Sequence, residues 1–269
     1  MIFARPAIAI CCFAAFLLLA PARVWAQGGP PLITDDPDTP GPGYWEINIA
    51  AIVDSGRTEK KFDMPRVDIN YGVGQRIQLK FEVPWIGLTT NGESTEHGLG
   101  DAVAGVKWRF KGHEGTQIAW SVYPQIEFNT MHSSVTKGVV DDGSRLMLPT
   151  ELTLEIAHVE INGELGRELV EHGADAWLYG ISTEGHVLRR LELLGDLHVE
   201  RPTGVPADVI GSIGAREKIG RQVVLLLAVG HTVGAPDQAG RATGYFGLQF
   251  NFPGLYTFPK DPAPIRSRP

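Results

Sequence analysis

Apolar and polar residues alternate with a period of two along most of the chain, and the stretch Arg66–Trp85 shows it most plainly. Val67, Ile69 and Tyr71 alternate with Arg66, Asp68 and Asn70. After a Gly-Val-Gly-Gln turn, Ile77, Leu79, Phe81, Val83 and Trp85 alternate with Gln78, Lys80 and Glu82. Successive side chains on a strand point to opposite faces, so this spacing predicts an antiparallel hairpin with one polar and one apolar face. A register centred on the turn sets Asn70 opposite Gln78, Asp68 opposite Lys80 and Arg66 opposite Glu82. On the other face it sets Val67 opposite Phe81 and Ile69 opposite Leu79, so both faces are complementary.

The pattern recurs from Tyr44 onward. Trp45, Ile47, Ile49, Ala51 and Val53 mark a first strand, and the hairpin supplies the second and third. Ala102–Phe110, Ile118–Phe128 and Leu148–Ile156 follow as the fourth to sixth. Val159–Leu165 and Ala176–Val187 are expected strands seven and eight, although Glu164–Glu171 and Val187–Leu194 also admit helical spacing. Leu191–Glu200, Val209–Arg216, Gln222–His231 and Gly244–Phe252 complete the series. About twelve strands of roughly nine to eleven residues result, the length that crosses a bilayer when tilted. Alternate connections are short (Gly72–Gln75, Lys111–Gly115, around His158, Leu188–Arg190, Glu217–Gly220), while Ile86–Gly100, Asn129–Arg145 and His231–Ala242 are long. Short turns at one end and long loops at the other are the layout of an outer-membrane barrel, and an even strand count returns the C-terminus to the short-turn side. Trp45, Tyr71, Trp85, Trp108, Phe110 and Phe252 fall near strand ends, as interfacial aromatic belts do.

The expected fold is therefore all-β, a transmembrane antiparallel up-and-down barrel of about twelve strands spanning 44–252. Alternation alone also suits a soluble lipocalin-like barrel or sandwich with the apolar set inside. Three features favour lipid outside: polar faces that carry both signs of charge, more strands than side chains can fill in a small soluble barrel, and the loop asymmetry. A bilayer also demands closure, since an open sheet edge in hydrocarbon leaves backbone groups unsatisfied.

The ends of the chain change this picture only at its margins. Residues 1–26 read as a signal peptide, with Arg5 ahead of an apolar run from Ala7 to Ala20 and small residues at Val24 and Ala26 before the cleavage point. Both cysteines, Cys11 and Cys12, lie within it, so no disulfide or Cys-ligated metal is expected in the mature chain. Removing that segment leaves 22 basic against 31 acidic residues, a balance that argues against nucleic acid and against a polybasic lipid patch. Residues 27–43 form a Pro/Gly/Asp-rich leader without regular structure. Asp35, Asp36 and Asp38 lack the glycine turn and terminal glutamate of a calcium loop, so no metal is expected there, and the leader is expected to be solvated or tucked into the lumen. Residues 253–269 are a Pro-rich tail carrying Lys260, Arg266 and Arg268.

Several segments resemble the MetA-pathway of phenol degradation family. They are PPLITDDPDTPGPGYWEINI, the run Gly98-Leu99-Gly100-Asp101 leading to Gly105–Phe110, and the leucine-rich Leu191–Glu200. The resemblance covers about residues 30–252 and implies a Gram-negative outer-membrane barrel of transporter type, with no catalytic residues to carry over. The tail after Phe252 departs from barrels whose terminal aromatic is read by the barrel-assembly machinery, the expected assembly partner.

The predicted lumen set is Glu46, Arg66, Asp68, Lys80, Glu82, Lys107, Arg109, Glu127, Glu151, Glu155, Asp196 and Glu200. Arg66, Asp68, Lys80, Glu82, Lys107, Arg109 and Glu127 are the candidates for a charged constriction; the alternative is an ion-paired filling that holds the barrel shut. Basic residues fall on three consecutive strands and Glu127, Glu151 and Glu155 on the next two, so an open lumen would have an asymmetric field. The reading is a passive pore or uptake channel for a small molecule, which the name of the resembled family alone implies to be aromatic or hydrophobic, with outer-membrane lipid and solute as partners and without cofactor. A lipid-acting enzyme using His132 and Ser133 is a second reading, and a closed structural or surface-interaction barrel a third. A soluble secreted β-protein comes last. The His132-Ser133-Ser134 cluster lacks a recognisable orienting acid or oxyanion site, and His172 beside Glu171 lacks a partner at metal-ligand spacing.

Overall fold

The computed structural model describes residues 29–113, 116–156, 159–233 and 240–254. The signal-peptide reading, the turn around His158 and nearly all of the tail lie outside the described residues. The strands are β1 (Tyr44–Ser55), β2 (Glu59–Val73), β3 (Ile77–Thr90), β4 (Glu96–Leu99), β5 (Ala102–Lys111), β6 (Ile118–Val122) and β7 (Gln125–Phe128). A one-turn helix, α1 (His132–Thr136), precedes β8 (Arg145–Ile156), β9 (Val159–Val170), β10 (Ala176–His186), β11 (Leu191–Pro202), β12 (Asp208–Lys218), β13 (Val223–Thr232) and β14 (Ala242–Pro253). Each strand pairs antiparallel with its sequence neighbour, and β1 pairs with β14 from Tyr44↔Pro253 to Ser55↔Ala242. β4 and β5 both pair with β3, and β6 and β7 both lie between β5 and β8, so the fourteen segments make twelve staves of a closed barrel. Closure leaves no unpaired edge, the condition a sheet must meet in hydrocarbon.

The outer face is apolar and the inner face polar, the inverse of a soluble protein. Ile49, Leu79, Phe81, Trp108, Ile181, Ile213 and Phe246 are exposed on the outside. Asn48, Asp68, Asn70, Gln78, Lys107, Arg109, Glu151, Asn162 and Glu184 are buried within. Among the described residues no helix is long and apolar enough to cross a membrane; the strands are the elements of crossing length. Trp45 and Tyr71 pack with ring centroids 4.5 Å apart at the short-turn end, where Phe110 lies 5.7 Å from Trp108 and 5.3 Å from Trp120. Trp177 and Tyr179 stack at 6.4 Å toward the other end. Two aromatic belts thus bracket the apolar band.

Four sequence expectations change. The β2–β3 register is shifted by two residues: Tyr71 faces Leu79, Asn70 faces Lys80 and Asp68 faces Glu82. A two-residue slip keeps every side chain on its own face, so face patterning cannot choose between these registers. The turn chooses: Gly74 takes φ 63° in a three-residue connection rather than the four-residue Gly72–Gln75. The expected polar pairs survive as diagonal neighbours. Second, most of the expected Ile86–Gly100 loop is strand, because β3 runs on to Thr90 and pairs there with β4. Third, the fifth stave breaks at Tyr123–Pro124, where the proline lacks a donor but its carbonyl still accepts from Val106 N–H at 3.0 Å. Fourth, the stretches that admitted helical spacing are strands β9 and β11 with their flanks.

Candidate functional site

Gly29–Gly43 folds into the lumen rather than away from it. Its prolines and glycines make no ladder hydrogen bonds, so the polar backbone must find partners on the inward face of the staves. Thr34 donates its hydroxyl to Asp196 at 2.6 Å, Ile33 N–H donates to the same carboxylate at 3.3 Å, and Asp35 N–H donates to Glu164 at 3.2 Å. Thr34 and Asp36 are almost wholly buried. Gly180 on β10 leaves no room for a Cβ, because Thr34 occupies that space, and Gly72 likewise abuts the backbone of Gly41.

Three buried cations hold this plug. Lys107 pairs with Asp35 at 3.1 Å and with Glu151 at 3.3 Å, donates to the Asp36 carbonyl, and lies 4.6 Å from the centre of the Tyr123 ring. Arg109 pairs with Asp38 at 2.5 Å and donates to the Gln75 carbonyl at 2.7 Å. On the far wall Arg216 donates to the carbonyls of Pro30 and Gly29 at 3.1 Å each, while pairing with Glu184 at 2.5 Å and Glu192 at 3.4 Å. Asp35 and Asp38 of the leader therefore serve as counter-ions to Lys107 and Arg109. Both arms of the plug are tied at the short-turn end: Gly29 to Arg216 near the end of β12, and Gly43 N–H to the Gly72 carbonyl beside the β2–β3 turn.

The predicted constriction residues separate into three groups. Arg66, Asp68, Lys80 and Glu82 form one network: Arg66 bridges Glu82 and Asp63, and Lys80 bridges Asp68 at 3.1 Å and Glu82 at 2.8 Å. The two carboxylates that face each other, Asp68 and Glu82, are held there by Lys80 between them. Lys107 and Arg109 anchor the plug. Glu127 stands apart near the outer rim, 3.5 Å from Arg145 of β8. Asp196 holds Thr34, Glu46 bonds Asn48 at 3.2 Å, and Glu151 pairs with Lys107, whereas Glu155 and Glu200 are exposed. Because Lys107 pairs directly with Glu151, the basic and acidic walls interleave instead of opposing each other. Sequence reasoning missed Arg216, Glu184 and Glu192, although each sits on the inward parity of its strand. Carboxylates of Asp36, Glu160 and Glu184 lie within 4.8 Å of one another where plug meets wall.

Above the plug lies a chamber of about 430 Å³ that reaches Asp54, Glu200 and Arg241 at the outer ends of the staves. Leu32 and Ile33 form part of its floor, and Ile52, Val103, Met147, Leu178, Ile210 and Tyr245 line its wall. These inward apolar residues were not legible as a set, because each appears singly on the polar face of a different strand. Outside the chamber, α1 carries His132 and Ser133 exposed, and no hydrogen bond among the described residues joins the His132 ring to a carboxylate or to Ser133. The β7–β8 and β9–β10 loops are clasped where Ser144 donates to Glu171 through its hydroxyl at 2.8 Å and its N–H at 3.0 Å, which holds that carboxyl below its ordinary value.

No family model matches the chain, and no curated protein matches it. Solved structures do. The COG4313 outer membrane channel from Pseudomonas putida F1 superposes with a TM-score of 0.59 at 10% identity, over 84% of this chain and 100% of that one. The NanC porin gives 0.55 at 9% identity, over 76% and 98%. The KdgM porin in complex with disordered oligogalacturonate gives 0.53 at 13%, over 77% and 99%. This chain shares their fold: a closed antiparallel twelve-stranded barrel of the outer-membrane porin type.

Proposed function

We propose that this protein is an outer-membrane channel for passive uptake of a small molecule, closed at rest by its own leader. Residues 1–26 direct export and are removed, 44–252 form the wall, 253–269 remain periplasmic, and assembly uses the barrel-assembly machinery. The observation that carries the reading is the plug: a leader seated on Lys107, Arg109 and Arg216 blocks the short-turn half of the lumen beneath a chamber open to the other side. A barrel needed only as a wall has no use for a chamber above a detachable filling. The residue-level resemblance to the MetA-pathway family and the shared fold with porins support transport over catalysis.

Planar-bilayer recording tests it. The mature chain should conduct weakly or intermittently, and a variant lacking residues 27–43 should conduct steadily with a larger unit current. A leader-deleted barrel that is folded yet silent would favour the closed structural reading instead.

A further inference from the structure

The acidic balance of the mature chain averages over two ends that differ. At the short-turn end the exposed charges among the described residues are six cations, Arg76, Lys111, Arg189, Arg190, Lys218 and Arg221, against the carboxylates of Glu155 and Glu217. None of the six has a carboxylate within ion-pair distance among the described residues. At the long-loop end, by contrast, Arg145 pairs with Asp141, Arg167 with Asp175, and Arg241 with Asp54 and Asp208.

The unpaired cations share one depth. Lys111 stands opposite Trp120 of the short-end aromatic belt, and Arg76 directly precedes Ile77, the partner of Trp108. Lys218 N–H donates to the Arg190 carbonyl at 2.9 Å, so Arg189, Arg190, Lys218 and Arg221 gather on two adjoining turns. These turns, 187–190 and 219–222, have four residues each. Two residues out and two back reach at most about 7 Å beyond the strand ends. The headgroup layer on one side of a bilayer is about 5–8 Å thick, so the rim ends within it. Leu188 and Ile219, set among these cations, are 65% and 54% exposed. Such exposure is unfavourable in water and favourable at the boundary between headgroups and acyl chains.

We propose that this rim is a docking surface for anionic phospholipid headgroups of the periplasmic leaflet. The six cations take the phosphates, and Leu188 and Ile219 enter the top of the acyl layer. A lipid leaflet meets the whole circumference at once, which suits cations placed both at β3 and β5 and, across the barrel, at the β10–β13 turns. An acidic protein would cover one sector only and would have no use for apolar residues at headgroup depth. The inference needs the membrane barrel but neither the plug nor conduction.

Native mass spectrometry of the mature chain in neutral detergent tests it, with phosphatidylglycerol and phosphatidylcholine of identical acyl chains in competition. Phosphatidylglycerol should be retained about tenfold better, and raising the salt from about 20 to 200 mM should shrink that preference. The fourfold variant Arg189→Gln/Arg190→Gln/Lys218→Gln/Arg221→Gln should lose most of the preference, about fivefold for each cation that meets a phosphate. Lys60→Gln/Arg201→Gln, at the long-loop ends of β2 and β11, should leave it unchanged. Leu188→Ser/Ile219→Ser should weaken both lipids alike. Equal retention of the two lipids, a preference that survives the fourfold variant, or one lost in the long-loop variant overturns the proposal. Displacement of phosphatidylglycerol by a decapeptide of glutamate would assign the rim to an acidic protein and overturn it equally. Should the fourfold variant fail to reach the fast-migrating unboiled form, its two halves are read separately. If neither half folds, the lipid preference of the unmutated chain and its salt dependence decide.

Discussion

Lys107 sits where wall, plug and the Tyr123 ring meet, and it is 1% exposed. A cation buried this deeply is tolerable only because Asp35, Glu151 and the Asp36 carbonyl surround it. Lys107→Met should therefore leave Glu151 uncompensated and cost about 3–5 kcal/mol of stability, read as a lower temperature for loss of fast gel migration. The double variant Lys107→Met/Glu151→Gln should recover most of that loss, yet its plug should still be loose, because Asp35 has lost its partner. If the double variant gains no current over the unmutated chain, the lysine is a wall residue and not a latch. The inward position of Lys107 and Arg109 was legible from strand parity alone. Their partners were not. Lys107 and Asp36 are 71 positions apart and Arg216 and Gly29 are 187 apart, and a leader without periodicity gives no sign of which wall it will touch.

At the scale of elements, the staves were readable and their offsets were not. A bilayer-facing strand declares its face by alternation, which is why fourteen of the hairpin's residues could be assigned to a side while the register slipped by two. The loop Ile86–Gly100 was misread for a related reason: beyond the membrane a strand has no lipid to face, so alternation fades although pairing continues. The plug is the element that no pattern announces, and it has a specific weak point. Gly180 lies against Thr34 without space for a side chain, so Gly180→Val should push the plug off β10 while leaving the ladder to β9 and β11 intact. Unit current should rise toward that of the leader deletion with unchanged gel migration. Current indistinguishable from the unmutated chain would mean that the plug adjusts without yielding passage.

For the whole molecule, closure and polarity make two measurable statements. The β1–β14 seam should give the unboiled chain faster gel migration than the boiled one, since a closed barrel resists detergent unfolding. The inward face carries more buried carboxylates than buried cations: Glu46, Asp63, Asp68, Glu82 and Glu184, among others, against Lys107, Arg109 and Arg216. With the leader and its own aspartates removed, the lumen should still prefer cations, and the reversal potential in a potassium chloride gradient should lie toward potassium. A reversal potential toward chloride would show that the wall cations dominate once Asp35 and Asp38 have left them.

Because the plug runs covalently into β1 at the short-turn end, the segment is a tethered ligand whose attached end stays at the mouth of its own site. Opening is then a unimolecular event, and reclosure is governed by an effective concentration of the order of millimolar, typical of a short flexible link. Gating should be independent of protein concentration and rapid compared with any bimolecular block. A free peptide of residues 27–43 added to the leader-deleted barrel should need about millimolar levels to reproduce the closure that the chain achieves by covalent attachment.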